Sequence, residues 1–190
     1  DIMNTKTARQ IEEMKKQTIG VEIEMNNITR NKAAKIAAEF FGTGRFENTA
    51  DRNSYCTWSA YDEQGREWKF QKDVSIAGID SEKCEMVTPI LNYSDIETLQ
   101  ELVRILRKAG AKSDSTRGCG VHIHIGAKGH TAKTLRNLAN IMASHEQLLI
   151  DALNLDEVRI RRYCKTVDPR FLEQVNRTKP ETMSQLADVW

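Results

Sequence analysis

The chain has 190 residues and a mass of 21.7 kDa, with 28 Lys and Arg against 27 Asp and Glu, a formal charge of +1. That balance argues against a partner held by bulk charge, so no nucleic acid is expected. The 39% hydrophobic and 29% charged content excludes collagen-like, mucin-like and disordered chains. No run of about 18 apolar residues occurs, which predicts no membrane span. The opening DIMNTKTARQ lacks the apolar core of a signal peptide.

Residues 5–16 carry helix formers, with Ala8, Ile11 and Met14 at helical spacing. TIGVEIEMN (18–26) then alternates as a strand, Val21, Ile23 and Met25 on one face and Glu22 and Glu24 on the other. Thr29 opens a helix to Phe41, closed by Gly42. SYCTWSAY and REWKFQK flank Asp62-Glu63-Gln64-Gly65 and predict a hairpin. KCEMVTPIL (83–91) reads as a short strand ended by Pro89. Ser94-Asp95-Ile96-Glu97 has the form of a capping box before a helix to Gly110. GCGVHIHIG (118–126) is a strand bounded by glycines. Thr131 opens the longest helix, through Leu153, with Leu135, Leu138, Ile141, Met142, Leu148 and Leu149 expected to face a core. From 156 onward the pattern is helical.

This order predicts an α+β fold with a largely antiparallel sheet, one face apolar and packed against helices, the other polar and open as a concave site. Domain organisation follows: a helix over 1–17, a catalytic-sized α+β domain over 18–155, and a helical extension over 156–190. Cysteines 56, 84, 119 and 164 form no C-x-x-C pair, which predicts reduced thiols in a cytoplasmic protein. Trp190 follows a segment that still reads as helix, so the chain is expected to be a fragment of a longer one.

Three strand-borne clusters and one basic helical cluster carry candidate chemistry. Glu22 and Glu24, two apart on a strand, point the same way with Cα atoms about 6.5–7 Å apart. Carboxylates so placed repel unless a proton or cation relieves them, and hard divalent cations prefer such oxygens. Exposed glutamates on a solvated strand are the alternative. His122 and His124 share one strand face, where neutral imidazoles suit transition metals. Glu85 shares a face with Val87, awkward for an unpaired carboxylate. Lys69, Gln71, Asp73 and Ser75 are expected along one strand face, with Asp73-Val74-Ser75 suited to substrate or nucleotide, or to a plain edge strand. Arg159, Arg161, Arg162 and Lys165 form a basic cluster that suits phosphates, or a solvated helix face. No G-x-x-x-x-G-K-[ST] or G-x-G-x-x-G occurs, so a nucleotide would be held by metals and side chains.

The order E-x-E, D-x-S, E-x-V-x-P and G-x-G-V-H-x-H resembles the amidoligase family of the glutamine synthetase and glutamate–cysteine ligase superfamily. The resemblance spans about residues 18 to 165, carried by GVEIEM, CEMVTPIL and GCGVHIHIG; RRYCKTVDPRF is similar to a helical segment that follows the His strand there. It implies a glutamine synthetase-like curved antiparallel sheet and an ATP-dependent ligase joining a small-molecule or peptide carboxylate to an amine through an acyl phosphate. It implies ATP with Mg²⁺ or Mn²⁺ as cofactors. By motif position, Glu22, Glu24, Glu85 and His122 would be metal ligands. Asp73, Ser75 and His124 would lie near nucleotide or substrate, and Arg162 would meet substrate or phosphate. The family continues into further strands bearing a Glu and an Arg, and nothing before Trp190 resembles them, so the C-terminal part is expected to be missing. Two other readings stay open: a zinc or manganese metallohydrolase using His122, His124 and a carboxylate, and a catalytically inactive binding domain.

Overall fold

The computed structural model describes residues 5–52 and 54–190. The chain divides into two compact units, Asp1–Gly126 and Ala127–Trp190, a division that falls before the long helix rather than after it.

The first unit contains α1 (Thr5–Lys15), β1 (Ile19–Met25), α2 (Arg30–Phe40), β2 (Phe46–Asn48), β3 (Trp58–Tyr61), β4 (Glu67–Gln71), β5 (Cys84–Val87), α3 (Ile96–Lys108) and β6 (Val121–Ile125). The strands form one sheet in the order β2-β3-β4-β5-β1-β6, every neighbouring pair antiparallel. With helices set between groups of strands, this is an α+β architecture.

One sheet face is apolar. Val21, Met25, Ala60, Trp68, Phe70, Cys84 and Met86 are buried there with the helices. Four alanines of α2, at 33, 34, 37 and 38, are fully buried and let that helix lie close over β3 and β4. Leu99, Leu102 and Leu106 bring α3 in beside it, at the spacing of one helical stripe. The Thr29 hydroxyl accepts from Lys32 N and caps α2. The box ahead of α3 lies earlier than expected: Asn92 and Asp95 cap a 3₁₀ turn over Tyr93–Asp95, not Ser94 with Glu97. The reason is Arg66, whose two Nη atoms fork onto both oxygens of Asp95 at 2.9 and 3.0 Å and fix that carboxylate.

Two further expectations are corrected, and one strand escapes the sequence pattern. The strand expected through Ser75 ends at Gln71, because Asp73 accepts from Ser75 N and turns the chain. Strand β2 carries no alternation long enough to read, yet pairs with β3. The aliphatic face of β6 is not packed under the helices of its own unit: Val121, Ile123 and Ile125 are exposed, since β6 is the sheet edge and α2 lies over the far strands.

The second unit is helical: α4 (Ala132–Ala152), α5 (Glu157–Arg162), α6 (Pro169–Thr178) and α7 (Met183–Val189). Ala132, Val175 and Leu186 are buried with Leu135 and Phe171 against them, and Asn140 and Asn176 exchange amide hydrogen bonds at 2.9 and 2.8 Å. Leu138, Ile141, Met142, Leu148 and Leu149 do not face a core as expected. They are exposed, because α6 and α7 cover only one side of α4. No helix among the described residues is long and apolar enough to cross a membrane.

Candidate metal centre

The polar face of the sheet follows from the ladders. In β1, Glu22 pairs with Val87 on one side and His122 on the other, while Glu24 stands opposite Glu85. Glu85 in turn faces Gln71 of β4, and His124 faces Gly20. Paired residues of an antiparallel sheet share a face, so one register collects Glu22, Glu24, Glu85, Gln71, His122 and His124.

Their contacts are specific. His122 Nδ1 lies 2.9 Å from Glu22 Oε2, and His124 Nε2 lies 3.4 Å from Glu22 Oε1. Gly120 N–H donates to Glu24 Oε2 at 2.7 Å, and Gln71 Nε2 donates to Glu85 Oε2 at 2.8 Å. Ligand atoms of Glu22, Glu85 and His122 all lie within 4.8 Å of one another, and those of Glu24, Asp73 and Glu85 do the same. The two groups share Glu85.

Asp73 reaches the group although β4 has ended. Its loop is sewn to the ends of β1 and β6: Ala77 N–H donates to Arg117 O at 2.8 Å, and Asn26 Nδ2 donates to Ala77 O at 2.9 Å. Arg30 donates to the carbonyls of Asp80 and Lys83 and holds the far end. Gly118, at φ +69°, lets the chain pass where a Cβ would stand 2.7 Å from Ser75 O. The glycines before the His strand thus serve a close backbone approach.

Glu24 and Glu85 are only 5% and 6% exposed. Among the described residues, no lysine or arginine pairs with Glu22, Glu24, Glu85 or Asp73. Burial pushes the Glu85 carboxyl above its ordinary range, against the Gln71 bond, and the charges of Glu22, Asp73 and Glu24 push the same way. The bond to Glu22 raises His122, against its partial burial. Buried carboxylates without a countercharge are costly, and a cation relieves them. One group is all oxygen, the preference of Mg²⁺ and Mn²⁺; the other adds one imidazole, which Mn²⁺ also accepts. The donor set fits such ions.

Other candidates fall elsewhere. His124 touches Glu22 but joins neither group, so His122, His124 and a carboxylate form no such cluster among the described residues. Ser75 is exposed on the turn after Asp73. Arg162 is exposed on α5 in the second unit. No motif in the chain signals that Gln71 and the Gly120 N–H hold the carboxylates. Both emerge only from the strand register, although the alternation Lys69, Gln71 placed Gln71 on the polar face.

The sequence matches the family described as "Putative amidoligase enzyme" over residues 15–190. No curated protein and no solved structure matches it. With the E-x-E strand, Glu85 and the His strand brought to one face, and the match running over nearly the whole chain, this protein belongs to the amidoligase family.

Proposed function

We propose that this chain carries the cation and nucleotide site of an ATP-dependent ligase that joins a carboxylate to an amine. The observation that carries the reading is the pair of ligand groups sharing Glu85, buried and without a fixed positive charge. Glu22, Glu85 and His122 would hold one divalent ion, Mg²⁺ or Mn²⁺, and Glu24, Asp73 and Glu85 a second. Asp73, expected near substrate, is proposed as a ligand by its position. Bound there, such ions neutralise charge on bridging phosphate oxygens.

The residues of the chain supply orientation. Gly120 N–H and Gln71 Nε2 each fix one carboxylate oxygen and leave the other free. Glu22 holds both imidazoles, which keeps His124 at the edge of the centre, where nucleotide or substrate would meet it. Ser75 is proposed beside the same ligands, and Arg162 as a substrate or phosphate contact on the family resemblance alone. In the proposed reaction a carboxylate oxygen of the substrate attacks the γ-phosphorus, and the bond to ADP breaks. The amine nitrogen then attacks the acyl carbon, phosphate leaves, and the nitrogen loses a proton to solvent. A glutamine synthetase-like sheet suits this reading, as do six antiparallel strands with helices over the apolar face. A cytoplasmic setting suits four free cysteines.

Isotope transfer tests the reaction. The chain is incubated with ATP, Mg²⁺, amines and ¹⁸O-labelled carboxylates, and the phosphate released is analysed by mass. One ¹⁸O per phosphate, with release dependent on the amine, is expected. Phosphate carrying oxygen from water alone, or amide cleavage with zinc and no nucleotide, would contradict the reading.

A further inference from the structure

The polar sheet face carries one fixed positive charge among its strand residues. Lys69 lies in β4, with Ser59 of β3 opposite on one side and Val87 of β5 on the other. Glu85 is the diagonal neighbour across the same ladder, a separation that long side chains span. The other polar side chains on that face of β4, β5, β1 and β6 are Glu67, Gln71, Glu85, Glu22, Glu24 and the two histidines.

Lys69 is half-buried, and among the described residues no hydrogen bond or ion pair reaches its ammonium. Its surroundings do offer acceptors. Glu67 Oε1 is taken by the Ser59 hydroxyl at 2.7 Å, with Arg52 3.8 Å away, and Glu85 Oε2 is taken by Gln71. Each acid thus already has a partner at one oxygen, and neither bonds the Lys69 ammonium. Partly desolvating a charge without pairing it is unfavourable, so a partner outside the chain is the natural complement.

The charge balance says which partner. Four carboxylates, Glu22, Glu24, Glu85 and Asp73, balance two divalent cations. A centre so loaded is neutral, and the phosphates that sit on it bring several negative charges. A cation on the same face, one strand over from Glu85, meets that need, as a lysine does in P-loop and protein-kinase phosphate sites.

We infer that Lys69 binds the phosphate chain of the nucleotide carried on the two-cation centre. The inference rests on the proposed ligase reading. It adds a phosphate-binding residue on β4, a strand that contributes no cation ligand.

Calorimetry on the whole chain tests it, with Mn²⁺ alone and then with ATP or pyrophosphate in the presence of Mn²⁺. Lys69→Met is expected to bind Mn²⁺ with wild-type stoichiometry and to lose about tenfold or more in affinity for both phosphate ligands. Lys69→Arg, which keeps the charge, is expected to retain most of that affinity. Wild-type nucleotide affinity in Lys69→Met would overturn the inference. So would a loss of Mn²⁺ binding in that variant, which would mark Lys69 as structural. Wild-type chain that binds Mn²⁺ but neither ATP nor pyrophosphate would instead overturn the ligase reading, and the inference with it.

Discussion

Glu24 and Glu85 stand directly opposite each other in the β1–β5 ladder, both buried, with Asp73 beside them and, among the described residues, no lysine or arginine paired with any of the three. Like charges so placed work against the sheet by up to about 1 kcal/mol. Glu85→Gln keeps an acceptor for Gln71 and removes one charge. In EDTA at neutral pH the variant should melt higher, by about 2–4 °C for about 1 kcal/mol. With Mn²⁺ present the order should reverse, because the wild type would gain more stability from binding than the variant. A pH series separates the cause. Glu85 titrates above its ordinary range in the folded chain, so the native state holds more protons than the unfolded one in that window. Stability without metal should fall as pH rises from the unfolded carboxylate value through the raised one, and the variant should flatten that fall.

Gly118→Ala should damage the site from a distance. A Cβ there would meet Ser75 O at 2.7 Å, at a positive φ that L-residues rarely adopt. The backbone term alone is about 1–2 kcal/mol, and the clash must displace the turn that carries Asp73. We expect lower thermal stability together with weaker Mn²⁺ binding, read by calorimetry. Gly65→Ala, also at positive φ but with open space around it, should lower stability and leave Mn²⁺ affinity intact.

The acid limb of stability should trace to the hairpin turn. Burial pushes Asp62 up, but the Trp68 indole, the Arg66 backbone N–H and the Arg66 guanidinium together hold its carboxyl below the ordinary value. The Arg66 fork does the same for Asp95. Depressed carboxylates stabilise above their unfolded pKa, and the gain is lost as pH falls through the lower folded value. Asp62→Asn should therefore cost about 2–3 kcal/mol at neutral pH and flatten the loss below pH ~4. Urea unfolding at a series of pH values checks both.

Protons should compete with metal at His122. The bond to Glu22 raises its pKa, and a ligating imidazole must be neutral. Mn²⁺ affinity should fall as pH drops through the His122 titration. In His122→Asn the affinity should be lower throughout and the pH slope shallower over the same range.

The alternation of β1 and β6 made both strands, and the face of Glu22, Glu24, His122 and His124, legible in the sequence. So was the α2 cap at Thr29. What sequence could not give was register. Nothing in the chain order says that Glu24 faces Glu85 or that Gln71 faces Glu85, because those pairings depend on which strands become neighbours. Asp73 read as a strand residue because alternation ran on past Gln71; its own side chain ends the strand by bonding Ser75 N. The apolar stripes of β6 and α4 read as core faces, yet both are exposed. Periodicity reports a face that wants cover, not the element that covers it.

The most direct test counts ions. The chain is titrated with Mn²⁺ by calorimetry while electron paramagnetic resonance follows the bound fraction, for wild type and Glu85→Gln. Two ions per wild-type chain with spin coupling between them, and loss of both coupling and affinity in the variant, are what a centre sharing Glu85 predicts. A single uncoupled ion in the wild type, or two ions bound equally well by Glu85→Gln, would contradict it.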